Sequence, residues 1–186
     1  QPRWMRAAAV YLINRFDHPK IYEVFLSHME AGDNLARNVV DWLAERDSPE
    51  PFINFSKDLD PPQRYLALQA LSGCWQHPQA WDTALVAMKD EDVQIRWKAV
   101  LTLYKLLNAW SRKKKWSNLV SKDRVLIELV TTSKDEDYSV RALVAVCLQG
   151  IPGREAESAL IQMLHDEDKR VAGSAIIAFA KRKGRM

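Results

Sequence analysis

The string Lys89-Asp90-Glu91-Asp92 returns as Lys134-Asp135-Glu136-Asp137 and as His165-Asp166-Glu167-Asp168, with a weaker copy at Lys57-Asp58-Leu59-Asp60. Four residues after the second Asp stands Arg64, Arg96 or Arg141; at the last copy Ala172 takes the place. Asp33 and Arg37 keep the same offset, and Arg6 lies 31 residues before Arg37. The Arg-to-Arg steps are 31, 27, 32 and 45, followed by 31 to Ala172, so one unit carries an insertion. A unit this short cannot bury an apolar face alone. It must stack on copies of itself, which makes a one-dimensional array.

The period inside each unit is helical. Ile95, Ala99, Val100, Leu103, Leu106 and Leu107 share one face at three- and four-residue spacing, as do Val140, Val144, Cys147 and Leu148. Each Asp precedes its helix, where a carboxylate caps free N–H groups and suits the helix dipole. Second amphipathic segments lie between, at Ile21–Met29, Trp81–Met88, Leu126–Val130 and Ala156–Leu164, with a shorter one at Pro51–Phe55. Pro19, Pro49, Pro61 and Pro78 sit at or near helix starts, where a missing N–H costs nothing. No run alternates with period two, and six glycines are few for an all-β chain. The spacing predicts eleven helices in antiparallel pairs.

With 47% hydrophobic and 27% charged residues, the chain is of the folded rather than the disordered type. No apolar run reaches the ~18 residues of a membrane span. Cys74 and Cys147 are too few for a disulfide scaffold and fit a reducing, cytoplasmic setting. The chain begins at Gln1 without a signal-peptide pattern, which reads as an excised piece or truncated array.

The pattern Asp92-x-x-Ile95-Arg96-x-x-Ala99 resembles HEAT repeats, in particular the short HEAT-like type of the phycobilisome lyases. The resemblance covers nearly the whole chain. It implies a single all-α domain over 1–186, a right-handed α-solenoid of about five to six helical pairs, with the Asp/Arg helix as the inner member of each pair. The chain then opens on an inner helix, Arg3 to Arg15.

The recurring acids and arginines, Asp33, Arg37, Asp60, Arg64, Asp92, Arg96, Asp137, Arg141 and Asp168, read as a structural ladder: each Arg reaches an Asp of its own or the neighbouring loop. A catalytic site is unique, whereas a stacking device recurs. Ala172 leaves the terminal unit without a rung.

Three functional readings follow. Positions one, five and eight after each Arg face away from the core, and Tyr11, Trp42, Tyr65, Trp97, Leu101 and Tyr104 stand there. Aromatic side chains offer large apolar area at low entropy cost, so these six mark a groove on the concave inner-helix face for another protein or peptide. The leading reading is therefore a non-catalytic protein-binding scaffold. The second is a nucleic-acid binder. Residues 105–124 hold seven Lys or Arg and one Asp, and the insertion at about 108–122 sets Arg112, Lys113, Lys114 and Lys115 between Trp110 and Trp116. Cations attract a phosphate backbone and indoles stack on bases; packed against the solenoid, the same two Trp would be structural. The third reading, a bilin lyase or isomerase subunit, is implied by the family resemblance alone.

No catalytic, metal or cofactor set is read from the chain. His18, His28, His77 and His165 form no pair at ligand spacing, and none precedes a Glu. The iron-binding His-Glu pairs of the HEAT-repeat deoxyhypusine hydroxylases are thus missing, and no motif assigns the residues of a helical DNA glycosylase. Cys74 and Cys147 fall on core positions.

Overall fold

The structure, a computed structural model, describes residues 49–57, 61–112 and 120–183. Among them are eight helices and no strand: α1 (Glu50–Phe55), α2 (Pro61–Leu71), α3 (Pro78–Ala87), α4 (Val93–Arg112), α5 (Lys122–Thr132), α6 (Tyr138–Leu148), α7 (Arg154–Met163) and α8 (Lys169–Lys183). They form four successive pairs. The other expected helices fall on residues 1–48, outside the described residues.

The helix starts follow from the side chains that open them. Asp137 accepts the N–H groups of Ser139 and Val140 at 2.8 and 3.3 Å. Asp92 accepts that of Gln94 at 2.7 Å, and Asp168 that of Arg170 at 2.8 Å. Each bond satisfies a donor that the first turn leaves without a partner. Proline opens α2, and α3 begins with Pro78. The turn from α6 to α7 depends on Gly153, whose φ of 134° is open to glycine and strained for any other residue. A Cβ there would also stand 3.3 Å from Glu155 Oε2. Gly153→Ala is expected to cost about 1–2 kcal/mol; an unchanged urea midpoint would show instead that the turn relaxes freely.

Along the stack α2 packs on α4, α4 on α6 and α6 on α8, while the partner helices α1, α3, α5 and α7 touch their own row more sparsely. Closer packing of one row bends the stack toward it, so the Arg-bearing helices line the inner face. One continuous core runs from Leu68 through Trp81, Leu103, Leu129, Leu148 and Leu160 to Ala178. The outer row leaves Val86, Ile127 and Ile161 open to solvent.

The long Arg-to-Arg step begins as helix rather than loop. α4 runs for 20 residues, as far as Arg112, against 11 in α6. Its added turns carry Leu106, Leu107 and Trp110 into the core. Trp110 meets Trp81 edge to face, with ring centroids 6.4 Å apart and planes at 82°. Trp81 in turn donates its indole N–H to the carbonyl of Trp75 at 2.9 Å.

Candidate functional site

The repeated Asp and Arg resolve into two jobs. Arg64 forks onto Asp90, with Nε and Nη2 donating to its two oxygens at 2.9 and 2.8 Å. Arg96 forks onto Asp135 at 2.8 and 3.1 Å, and Arg141 onto Asp166 at 2.8 and 2.9 Å. The free nitrogen of each lower fork turns back to its own loop. Arg96 Nη1 donates to the carbonyls of Asp90 and Glu91, and Arg141 Nη1 to those of Asp135 and Glu136. These two rungs thus tie their own loop to the next.

The acid on each rung differs from the sequence expectation. It is the first Asp of the string (Asp90, Asp135, Asp166), and the second (Asp92, Asp137, Asp168) is the helix cap. Geometry explains the division. The second Asp is turned into the start of its own helix, while the first is held toward the neighbour because it accepts the N–H of the second at 2.9 Å in all three loops. Hydrogen bonds from Arg141 hold Asp166 below the usual carboxylate range. Ser139 does the same for Asp137, and Arg170 lowers Asp168 to about 2. Arg64, Arg96 and Arg141 are all raised by the carboxylates they grip. Ala172 leaves α8 without a rung. Asp33, Arg37 and Asp60 lie outside the described residues.

Of the positions one, five and eight after each Arg, those on α2, α4, α6 and α8 fall among the described residues. Tyr65 from α2 and Trp97 and Tyr104 from α4 are partly buried, with their inner sides on the core, and Leu101 between them is also partly buried. These residues are set partly into the fold rather than standing clear of it. Tyr11 and Trp42 lie outside the described residues. On α6 and α8 the same positions hold Ala142 and Val146, then Gly173 and Ile177. Nothing lies within 4 Å of where a Cβ on Gly173 would stand. Ala142 and Gly173 are thus smaller than their counterparts on α2 and α4, while Ile177 on α8 is 57% exposed.

The sequence reading missed Lys98. It is only 5% exposed, its stem enclosed between α2 and α4. Its ammonium lies 4.2 Å from the Tyr65 ring centroid and donates to Gln69 Oε1 at 2.9 Å. Burial, aided by the nearby charge of Lys105, lowers its pKa to about 8. The signal was present: two residues after Arg64 and Arg141 stand Leu66 and Leu143, so a Lys breaks the register. Arg182 is a second residue that the repeat pattern does not single out. It donates to the carbonyls of Leu148, Ile151 and Gly153 and clamps the α6–α7 turn.

The basic insertion loses one of its two indoles. Trp110 is 6% exposed and held against Trp81, so it presents no face to a stacking base. Arg112 ends α4, and Lys113, Lys114, Lys115 and Trp116 lie outside the described residues. Cys74 and Cys147 are buried, and desolvation pushes the Cys147 thiol up, which keeps it from acting as a thiolate. Among the described residues no group of His, Cys, Asp or Glu is placed to hold a metal ion. No described helix is long and apolar enough to cross a membrane.

Solved structures share this architecture. A chain of the CpcE–CpcF complex of phycocyanin lyase from Nostoc sp. PCC7120 superposes with a TM-score of 0.63, covering 93% of this chain and 96% of that one at 21% identity. The fold is a HEAT-like α-solenoid. Two engineered proteins match this solenoid as well, with TM-scores of 0.60 and 0.57 at 17% and 14% identity, covering 95% and 96% of this chain and 80% and 84% of theirs. At such identities the likeness is one of fold. No protein-family model matches the chain, and no curated protein does.

Proposed function

We propose that this solenoid is a protein-binding scaffold whose inner face receives a segment of another protein. The observation that carries the reading is the partly buried cluster of Tyr65, Trp97, Leu101 and Tyr104 on the tightly packed row, beside the small residues Ala142 and Gly173 and the exposed Ile177. Rigid aromatics next to small residues suit an inserted apolar side chain. A stacked-helix array also provides an extended surface without catalytic machinery. Short random peptides displayed and selected on the full chain test this. For those that bind, Trp97→Ala is expected to cost about 2 kcal/mol or more of affinity, with a far smaller change in melting. If peptide binding survives in the variant, or is lost only as the protein unfolds, the inner-face reading is wrong.

A second reading rests on the end-to-end likeness to a phycocyanin lyase chain. On that reading the partner is another solenoid chain and the pair handles a tetrapyrrole. A shift in the visible absorbance of a bilin on mixing supports it, and an unchanged spectrum in the presence of the partner removes it. The nucleic-acid reading keeps Arg112, Lys113, Lys114, Lys115 and Trp116 but no longer has Trp110 for stacking. A steep loss of oligonucleotide binding with salt is its signature.

A further inference from the structure

We propose that Lys98 makes the inner face a carboxylate-binding subsite, so that the segment taken by the scaffold is an acidic one whose Asp or Glu lies beside an apolar side chain. The inference rests on the scaffold reading and adds to it the chemistry of the partner.

Lys98 is enclosed where its neighbours hold it as a cation but do not neutralise it. An ammonium has three donors. One goes to Gln69 Oε1 at 2.9 Å, and the Tyr65 ring covers another direction at 4.2 Å. No carboxylate among the described residues pairs with it, and the charge that acts on it, Lys105, is also a cation. Burying a lone ammonium is costly, and lysine is almost never this deeply enclosed without a partner. Stacking does not require it, since the matching positions Leu66 and Leu143 fill the same contact with hydrocarbon. Both groups that meet the ammonium, Tyr65 and Gln69, belong to the inner-face stripe of α2. The ammonium therefore lies under the α2 stripe, against Tyr65 and Gln69.

A single carboxylate fits this setting. It matches one enclosed cation, it accepts from the remaining ammonium donor and from the Gln69 amide, and an adjoining apolar side chain finds the aromatic cluster. A nucleic-acid backbone fits less well, because phosphates recognised in series need a row of cations. Among the described residues the stripe around Lys98 and Lys105 holds the uncharged Gln69, Trp97, Leu101, Ala142 and Val146.

The test uses the full chain, the displayed random peptides and a labelled oligothymidine. Selected peptides are expected to carry Asp or Glu next to an aromatic or branched residue, and to lose about thirtyfold or more in affinity against Lys98→Met. Lys98→Gln should behave like Lys98→Met, and neither variant should melt below the wild type. Exchanging the peptide acid for its amide should cost as much on wild-type protein and nothing on Lys98→Met. Peptides that depend on Trp97 but are neutral, or that ignore Lys98, overturn this inference and leave the scaffold standing. A library that yields no peptide dependent on either residue overturns both. Oligothymidine that binds and is lost in Lys98→Met assigns the cation to phosphate and overturns the carboxylate.

Discussion

Arg96→Ala is expected to destabilise the solenoid by about 3–5 kcal/mol, the usual result of removing one member of an enclosed ion pair. The Arg96 and Asp135 side chains are only 10% and 8% exposed, so the deletion strands a carboxylate that water reaches poorly. It also frees the carbonyls of Asp90 and Glu91, which accept from the same guanidinium. Arg96→Lys should recover little, because an ammonium lacks the planar fork that grips both Asp135 oxygens while reaching back to its own loop. Asp135→Asn is milder: the amide oxygen still accepts from the N–H of Asp137. Urea unfolding of the three variants checks the order, and an Arg96→Ala midpoint equal to the wild type would remove the rung from the account. Acid should act in the same direction. Asp166 and Asp137 are held below the ordinary value of 3.8, so their contribution is present above that pH and is lost as pH falls through their lower folded values.

The repeat made the architecture legible and hid the departures from it. A period of acids, arginines and apolar residues can be met in few ways, so stacked helical pairs follow from spacing, while the solenoid and the inner placement of the Arg helices came with the resemblance to HEAT repeats. The assignment of acids to rungs does not. Asp90 and Asp92 are two residues apart in the same string, and only the backbone turn, fixed by the Asp92 N–H on Asp90, decides which one faces the neighbour. Trp110 went astray for a related reason. Its neighbours in sequence are cations, but its neighbour in space is Trp81, from the preceding helix. A local run of charge says nothing about a ring one helical turn earlier. Lys98 is hidden for the opposite reason: a repeat makes the recurring residues visible and not the cation that stands between Leu66 and Leu143 in the register.

That residue carries the other large effect. Lys98→Met is expected to raise stability near pH 7 and to lose that advantage in alkali. The pKa of Lys98 falls from 10.5 to about 8 on folding. Between those values the unfolded chain holds a proton that the folded chain has released, so the stability of the wild type rises with pH across that window. Below it, keeping the ammonium enclosed costs about 3 kcal/mol. Methionine fills a similar volume without a charge. It forfeits the Tyr65 ring contact and the Gln69 hydrogen bond, together worth about 1–2 kcal/mol. The variant should therefore lead by about 1–2 kcal/mol at pH 7, and the gap should move by about 3 kcal/mol in favour of the wild type by pH 10.5. Comparing the two proteins at each pH cancels the other titrations, including the raised Cys147 thiol, which acts in the opposite sense above 9.0. A gap that stays constant across the window would mean that Lys98 keeps its ordinary pKa and is not enclosed. A stabilising Lys98→Met that also abolishes binding of acidic peptides would show why the array keeps a cation where the flanking units use Leu66 and Leu143: stability given up at one position of the core for recognition at the groove.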